Sequence, residues 1–355
     1  WNIHAFDFDT VNRYQANLLT RLFLCNHKVQ SLLDTYYRLA WSRKPEFMGW
    51  EFEWDDEAHT GLKPTEYSFQ NYGEAQHRLA DYRHISDEAE RLSDGSAAWF
   101  EMVQFPMQAA YQMNRKFLMA QLNHELLAQG RRAEANWAAH QSQIAYDSIN
   151  TLNRRYNSLL DGKWRGMMAL STSFTTTAMY YQKPEVTYTS GAGEQAVSLA
   201  PLRGTTAEDC YVIDLARFAA KSSDVRIVKG LGYDGQVVQL GDPTGGEGMV
   251  SYRLPEVPSD SVDVIIYNVP FWPLYEGKSN RIGVTFDGAL MQVFENSFRE
   301  YDRTWKDQVM RNGIACRLRF PVNRSESSHL LVIKAFDSGQ MVQPIIIDWG
   351  GLQPS

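Results

Sequence analysis

The hydrophobic pattern divides the chain into two parts that differ in the spacing of their apolar residues. From Val11 to Leu160, apolar residues recur every three or four positions, which places them on one face of an α-helix. Beyond residue 170 the pattern changes to short alternating segments rich in β-branched residues and separated by Gly, Pro and Asp, which is typical of strands. The sequence therefore predicts a helical bundle over residues 1–175, followed by an antiparallel β-sandwich over residues 186–355.

Four periodic stretches make up the helical part, and they run from 11 to 40, 71 to 92, 97 to 129 and 132 to 160. The first stretch stops at Arg43-Lys44-Pro45-Glu46, and the fourth ends at Asp161-Gly162, a helix C-terminal signal. Pro106 lies inside the third stretch. Because proline has no backbone N–H to donate, we expect that helix to be kinked or split there.

The second part contains five segments with strand composition and turn residues at their ends. They are "SVDVIIYNVP" (261–270), "RIGVTFDGAL" (281–290), "IACRLRFPV" (314–322), "HLLVIKAFD" (329–337) and "PIIIDWGG" (344–351). Between them, residues 296–312 have a more helical composition. The sandwich prediction depends on these five segments.

The stretch "RIVKGLGYDGQVVQL" (226–240) contains a literal G-x-G-x-x-G at Gly230, Gly232 and Gly235. A dinucleotide-binding loop needs a helix directly after the third glycine, because the helix N-terminus faces the pyrophosphate. Here Gln236-Val237-Val238-Gln239-Leu240 follows, which predicts a short strand. The glycines are therefore predicted to form a hairpin turn.

Composition and charge narrow the classes of partner. Of the 355 residues, 44% are hydrophobic and 22% are charged, as in ordinary globular domains. The net charge of −7 argues against nucleic acid or an anionic membrane surface as a partner, since both attract clustered Lys and Arg. Cys25, Cys210 and Cys316 lie far apart, so they predict neither a C-x-x-C site nor a disulfide framework.

Motifs for cofactor or metal chemistry are weak in this sequence. His124-Glu125 begins like a zinc-protease motif, but Ala128 stands where the second histidine is required. Gly241-Asp242-Pro243-Thr244-Gly245-Gly246 has neither the Lys-Ser/Thr pair nor the helix of a phosphate-binding loop. We therefore expect no cofactor and no metal.

Two aromatic regions have the composition of sugar-binding surfaces. Trp54 and Asp55 belong to an acidic, Trp-rich loop with Trp50, Asp56 and Glu57, in which paired carboxylates would serve glycoside hydrolysis. Trp272 and Tyr275 follow a predicted strand, where an exposed ring would stack on a sugar. The structural alternatives are a solvated acidic loop and an indole packed between the two domains.

Several stretches together resemble the C-terminal portion of glycoside hydrolase family 115, the xylan α-1,2-glucuronidases. They are "YYRLAWSRKPEF" (36–47), "NYGEAQHRL" (71–79), "MVQFPMQAAYQMN" (102–114), "YNSLLDGKWRGMM" (156–168) and the sandwich from "LGYDGQVVQL" to "PIIIDWGG". The resemblance implies a modular enzyme in which a catalytic (β/α)8-type barrel precedes a helical domain and a β-sandwich. The opening "WNIHAFDFDT" resembles the segment after the last barrel strand, so we expect the catalytic residues to lie outside this chain.

The resemblance also implies a role for the chain. We expect an accessory part of an inverting xylan α-1,2-(4-O-methyl)glucuronidase. This part is expected to act as a scaffold, to form a homodimer, to line the cleft for glucuronoxylan, and to be periplasmic or extracellular. The alternatives are a carbohydrate-binding or structural module without catalysis, and an enzyme that uses Asp55, Asp56 and Glu57. Arg43 is the residue of the 43–46 turn that would face a sugar carboxylate, unless it pairs with a neighbouring charge instead.

Overall fold

The computed structural model describes residues 8–23, 28–43, 67, 69, 74–168, 183–199, 210–244, 247–273, 276, 279–296, 308 and 312–350. Helices occupy the first part of these residues and strands the second, as the sequence pattern predicts. The helices are α1 (Phe8–Phe23), α2 (Lys28–Ser42), α3 (Glu74–Arg91), α4 (Ala97–Trp99), α5 (Phe105–Ala128) and α6 (Arg132–Gly162), with a π-helical turn at Phe100–Gln104.

The helical part is held together by the apolar faces that the periodicity predicts. On α3, Ala75, Leu79, Tyr82, Ile85 and Ala89 are all buried. They pack into cores that include residues of α1, α2, α5 and α6. The spacing of three and four residues thus marks the face of α3 that the neighbouring helices cover.

A π-helical turn interrupts the α-helical hydrogen bonding of the third stretch directly before Pro106. The π-helical turn at Phe100–Gln104 closes with a bond from the Phe105 N–H to the Phe100 carbonyl, and Pro106 follows in the first turn of α5. A change to π-helical pairing is a common way for a helix to accommodate a residue that has no N–H to donate. The buried rings of Phe100 and Phe105 meet at 6.0 Å just at this break.

An extended segment, residues 183–199, lies along the bundle and is fixed by two buried asparagines. Asn123 donates to the Thr187 carbonyl at 2.9 Å and accepts from the Thr187 N–H at 2.9 Å. Asn136 makes the same pair of bonds with Thr189, at 2.9 and 2.7 Å. Each amide side chain therefore donates to and accepts from the backbone of one residue, as a neighbouring strand would. In this way the two asparagines satisfy backbone groups of a segment that is not paired in a sheet.

The strands of the second part form two antiparallel sheets. They are β1 (Cys210–Val212), β2 (Ala220–Lys221), β3 (Arg226–Lys229), β4 (Gln236–Leu240), β5 (Met249–Pro255), β6 (Ser261–Asn268), β7 (Arg281–Phe286), β8 (Gln292–Glu295), β9 (Ile314–Pro321), β10 (Ser328–Ala335) and β11 (Gln340–Asp348). One sheet has the order β3-β4-β11-β6-β9, with β1 also paired to β11, and the other has the order β2-β5-β10-β7-β8. The five predicted strands become β6, β7, β9, β10 and β11.

One continuous apolar core joins the inner faces of the two sheets. Val264, Ile266 and Ile347 of the first sheet and Val284 and Ile333 of the second belong to it, and all five are at most 1% exposed. The fold is therefore a helical part followed by a β-sandwich. Among the described helices, none is long and apolar enough to cross a membrane.

The C-terminal end of α2 is held by the side chain of Arg78, which is 4% exposed and lies on α3. The Arg78 guanidinium donates to the carbonyls of Leu39 at 3.4 Å and Arg43 at 3.3 Å, and its Nε donates to Asn114 Oδ1 at 2.7 Å. The last carbonyls of a helix have no partner within the helix, so a buried helix end requires donors from elsewhere. Arg78 supplies them and so joins α2, α3 and α5.

A buried lysine lies inside the bundle on α5. Lys116 is fully buried, with its Nζ 4.5 Å from the centre of the Phe117 ring. Burial removes the ammonium group from water and lowers the pKa of Lys116 from 10.5 to about 7. The charged form of this side chain is therefore disfavoured in the folded protein.

We expect Arg78→Met to destabilise the protein by roughly 3 kcal/mol or more, since it leaves buried carbonyls without donors. The matched control is Arg83→Met on the same helix, because Arg83 only pairs with Asp87 at 3.5 Å in solvent. An exposed pair of this kind contributes at most about 1 kcal/mol. Denaturant unfolding of both variants measures the difference, and equal losses would contradict the role given to Arg78.

We expect Lys116→Met to stabilise the protein. Between about pH 7 and 10.5 the unfolded chain binds a proton at Lys116 that the folded chain does not bind. The loss of folding stability caused by burying Lys116 is therefore complete below about pH 7 and becomes smaller as the pH rises to 10.5. The gain should therefore be roughly 2 kcal/mol or more at pH 6 and small at pH 10. Unfolding measured at both pH values tests this, with exposed Lys183→Met as control; a gain independent of pH would disprove it.

Candidate functional site

The glycine-rich stretch forms the turn of the β3–β4 hairpin. Gly230, Gly232 and Gly235 have φ angles of 82°, 83° and 74°, which L side chains rarely adopt. The Gly230 N–H donates to the Gly235 carbonyl at 2.8 Å, and a Cβ on Gly232 would lie 2.7 Å from the Gln236 carbonyl oxygen. The predicted hairpin is confirmed, and the strand β4 stands where a nucleotide loop would need a helix.

The hairpin turn is fixed to the centre of its sheet by Gln343. The Tyr233 N–H donates to Gln343 Oε1 at 3.0 Å, and Gln343 Nε2 donates to the Asn312 carbonyl at 2.8 Å. Gln343 is fully buried and precedes Pro344, at the register shift between Val342 and Ile345 where β11 pairs with β6. A bulge tolerates proline and redirects side chains, so the irregularity frees Gln343 to serve the turn.

Asn312 carries the same network from the sandwich to the bundle. Its Nδ2 donates to the Trp41 carbonyl at 2.6 Å, across 271 positions of sequence. Its backbone has a φ of 50°, a left-handed conformation that asparagine adopts more readily than most residues. Behind it, Tyr233 lies so close to Gly313 that a Cβ there would collide with the phenol oxygen. The end of α2, the hairpin and the 312–313 turn are thus held as one unit.

A cavity of about 800 Å³ opens between these elements, and we name it the junction cleft. The helices contribute Arg13, Tyr37, Arg38 and Trp41, and the sandwich contributes Lys229, the glycine turn and Asn312. A shallower hollow of about 520 Å³ continues along α2 past Asp34 to Asp234 and Gly235. The cleft is therefore built equally from the two halves of the chain.

The side chains of the cleft are held in place by hydrogen bonds. Arg38 pairs with Asp81 at 3.0 Å, and the Tyr37 hydroxyl donates to Gln15 at 3.0 Å. Gln30 Nε2 donates to Asp34 at 2.8 Å, one helical turn along α2. The charged residues that line the cleft are Arg13, Arg38, Lys229 and Asp34. Charges of both signs therefore lie in and beside the cleft.

The site residues expected from the sequence do not converge on this cleft. Arg43 follows α2 and is 7% exposed, while its carbonyl accepts from Arg78. Trp272 follows β6 and is 47% exposed. Neither residue lines the junction cleft, and Trp54, Asp55 and Tyr275 lie outside the described residues. The roles expected for these five residues remain predictions.

The other motifs considered from sequence have structural partners. His124 Nε2 lies 3.1 Å from the Glu185 carbonyl, on the segment that runs along the bundle. Trp164 donates its indole N–H to Glu101 at 3.1 Å and packs beside Phe100, Phe105 and Tyr156. Among the residues that the structure describes, no three His, Cys, Asp or Glu side chains are grouped to hold a metal ion.

A buried His–Asp pair in the second sheet was not found from the sequence. His329 Nδ1 lies 2.6 Å from Asp287 Oδ2, the His329 ring stacks on Phe286, and the side chain is excluded from solvent. Asp287 also accepts from the Leu330 N–H at 2.8 Å, which closes the turn after β7. Because solvent does not reach the imidazole, the pair fixes the turn and is not placed to meet a substrate.

The junction cleft was also missed from the sequence. Its aromatic residues, Tyr37 and Trp41, belong to the periodic pattern of α2, and its glycines had been explained by the hairpin alone. A sequence signal existed in the charges Arg13, Arg38 and Lys229, but they are far apart along the chain. Only the pairing of the glycine turn with α2 brings them together.

Comparison with known proteins identifies the second half of the chain first. Residues 236–355 match the family model described as the glycosyl hydrolase family 115 C-terminal domain, which begins at β4. A search of curated protein sequences finds no match. The family model thus covers most of the sandwich.

Solved structures extend the similarity to the helical half. A family GH115 4-O-methyl-α-glucuronidase, BtGH115A, with specificity for decorated arabinogalactans, is 28% identical with a TM-score of 0.75. The match covers 97% of this chain and 43% of that one, at its C-terminal part. The chain thus spans less than half the length of BtGH115A.

Carbohydrate-binding modules are also found, at much lower similarity. The C-terminal CBM6 of LamC, a laminarinase from Zobellia galactanivorans, is 12% identical over 39% of this chain and 99% of that one, with a TM-score of 0.29. A family 35 module from Clostridium thermocellum is 9% identical over 39% and 98%, also with a TM-score of 0.29. These two likenesses carry no argument about binding. The sandwich therefore matches the family 115 C-terminal domain, and the chain is similar over nearly its whole length to the C-terminal part of a family 115 glucuronidase.

Proposed function

We propose that the chain is the C-terminal accessory part of an α-glucuronidase, an enzyme that releases (4-O-methyl)glucuronic acid from a plant polysaccharide. The observation that carries the proposal is the match to BtGH115A over 97% of the chain, helices and sandwich alike. The role of this part is to scaffold the enzyme and to line its substrate cleft. Glucuronoxylan and decorated arabinogalactan are the two substrates to compare, and a periplasmic or extracellular location fits both.

Two of the described carboxyl groups, Asp94 and Asp242, do not suit the role of general acid. An inverting glycosidase needs a carboxylic acid whose pKa is raised, so that it can protonate the leaving group, and a second carboxylate roughly 6.5–9.5 Å away. Asp94 and Asp242 have a pKa below the ordinary value, because Ser96 and Thr244 donate hydrogen bonds to them. Both shifts run opposite to the one that a general acid requires.

The packing also supports a scaffold. The polar groups that unite the halves, Arg78, Asn312 and Gln343, are bonded to backbone carbonyls or N–H groups of their own chain. Groups committed in this way hold elements in register and have little capacity left for a reacting sugar. These polar interactions therefore stabilise the arrangement of the helices and sheets.

The first test is a chimera in which this chain replaces the matched C-terminal part of BtGH115A. We expect the chimera to release glucuronic acid from decorated arabinogalactan, while the 355-residue chain alone releases none from arabinogalactan or glucuronoxylan. BtGH115A without that part is the matched control and should lose most of its activity, since the scaffold is removed. Release of uronic acid by the chain alone, or a folded but inactive chimera, would overturn the proposal.

We also propose that the chain forms a homodimer, and the support lies on α1. Val11, Tyr14, Leu18 and Leu22, spaced three or four residues apart, are 38–69% exposed and make an apolar stripe along the helix. Exposed stripes of this kind commonly mark interaction surfaces, and a second copy of α1 offers a matching one.

Light scattering tests the dimer. We expect a mass near twice 40.7 kDa for the unaltered chain and near 40.7 kDa for the double variant Tyr14→Asp, Leu22→Asp. Asn17→Asp, an exposed polar position of the same helix, is the control for added charge and should leave the dimer intact. A monomer at every concentration would rule out the homodimer.

A further inference from the structure

Two residues of the junction cleft carry hydrogen-bond donors that the described part of the chain does not satisfy. Trp41 Nε1 is shielded from solvent and has no hydrogen-bond partner there. Gly232 is also buried, and no described group accepts from its N–H, whereas its carbonyl accepts from the Gly235 N–H at 3.1 Å. Both residues line the cavity of about 800 Å³. Because buried donors in proteins are nearly always bonded, these two indicate a ligand that supplies acceptors.

The charges of the cleft do not select an ion as that ligand. Among the described residues, cations and acids in and beside the cleft are equal in number, and they are Arg13, Arg38, Lys229, Asp34, Asp81 and Asp234. Arg38 pairs with Asp81 at 3.0 Å, and Asp34 accepts from Gln30 at 2.8 Å. Arg13 and Lys229 take part in further contacts of their own. Balanced charges produce little net field, so a neutral ligand fits this cleft as well as a charged one.

The uncharged wall of the cleft on α2 favours a ring with hydroxyl groups. Tyr37 and Trp41 lie four residues apart and both line the cavity, so they share one face of the helix. The Tyr37 hydroxyl donates to Gln15 Oε1 at 3.0 Å, which holds the ring in place, and the side chain is 37% exposed. Aromatic faces beside a few fixed polar groups form the type of surface on which a sugar ring packs.

The wall on the sandwich side is the backbone of the β3–β4 turn. Gly230, Gly232 and Gly235 line the cleft and bear no side chain, so a ligand can approach their peptide groups closely. Asn312 completes this side, and its bond of 2.6 Å to the Trp41 carbonyl fixes one wall against the other. The cavity is therefore preformed, which reduces the cost of ordering it around a ligand.

We propose that the junction cleft binds a neutral sugar unit of a polysaccharide backbone, with sugar oxygens as acceptors for Trp41 Nε1 and the Gly232 N–H and a ring face against Tyr37. The inference rests on the proposed function for the source of the sugar. The backbones of glucuronoxylan and decorated arabinogalactan are both built from uncharged sugar rings with hydroxyl groups. Binding here would hold the backbone on the C-terminal region of the enzyme without engaging the acidic branch.

Calorimetric titration of the 355-residue chain tests the cleft. The probes are an unbranched xylo-oligosaccharide, an unbranched galacto-oligosaccharide, and each of these with a glucuronic acid branch. We expect at least one neutral probe to bind, its acidic counterpart to bind within about threefold of it, and added salt to leave both affinities unchanged. The neutral probe that binds more tightly identifies the backbone.

Two variants locate the site. Trp41→Phe keeps an aromatic ring but removes the N–H, and Tyr37→Ala removes the ring, so each should weaken binding by about tenfold. Because Trp41 Nε1 has no protein partner, its removal breaks no hydrogen bond of the free chain, and thermal unfolding without sugar should show that Trp41→Phe is folded. Tyr188→Ala, an exposed tyrosine outside the cleft, is the matched control and should bind like the unaltered chain. Trp272→Ala is the control for a site on the sandwich.

Absence of binding by both neutral probes would overturn the proposal, as would binding of the acidic probes alone. Loss of binding in Trp272→Ala but not in the two cleft variants would place the site on the sandwich and reject the cleft. The titration is independent of the glucuronidase activity, which the chimera measures with a different readout. An active chimera with a cleft that binds nothing would retain the proposed function and reject this inference. Binding with an inactive chimera would retain the cleft and reject the enzyme assignment.

Discussion

The carbonyl groups at the C-terminal end of α2 impose the constraint on which this structure depends. A helix end leaves carbonyls without partners, and here that end is covered by α3 and by the sandwich instead of water. Arg78 donates to Leu39 and Arg43 from the bundle side, and Asn312 donates to Trp41 from the sandwich side. The C-terminal end of α2 is therefore bonded both to α3 within the bundle and to the sandwich.

The relation between the halves follows from these few bonds. Gln343 lies at the register shift of β11, and it connects the Tyr233 N–H of the hairpin to the Asn312 carbonyl. The β3–β4 turn is consequently positioned by Asn312, whose side chain also donates to a carbonyl at the end of α2. Since the cleft lies between that hairpin and α2, its width depends on hydrogen bonds between the side-chain amides of Gln343 and Asn312 and backbone groups.

Local patterns were sufficient to predict the helices and many of the strands, but not β1, β2, β5 or β8. Helical spacing marked the buried face of α3, alternation marked strands such as β6 and β9, and the residues after Gly235 identified a strand where a nucleotide loop needs a helix. Pro106 predicted a break that the structure contains as a π-helical turn. Each of these signals depends on neighbours within a few positions, which a single sequence displays directly.

The junction could not be predicted in the same way, because its residues look ordinary in sequence. Arg78 resembles any arginine of a solvated helix face, yet it is buried among groups 35–39 positions away. Asn312 and Trp41 are separated by 271 positions, and nothing in either local pattern indicates the other. Likewise, the charges of the cleft come from α1, α2 and β3, so their sum exists only in the folded chain.

The stretches that resemble family 115 acquire a physical explanation from the same contacts. Arg78 lies in the 71–79 stretch, Leu39 and Arg43 lie in the 36–47 stretch, and Asn114 lies in the 102–114 stretch, so one guanidinium joins three of them. A side chain that satisfies so many buried groups is difficult to replace, because every substitution leaves donors or acceptors unpaired. These three stretches thus have a role in the architecture of the region, and any role in binding sugar must come from residues that line a cavity instead.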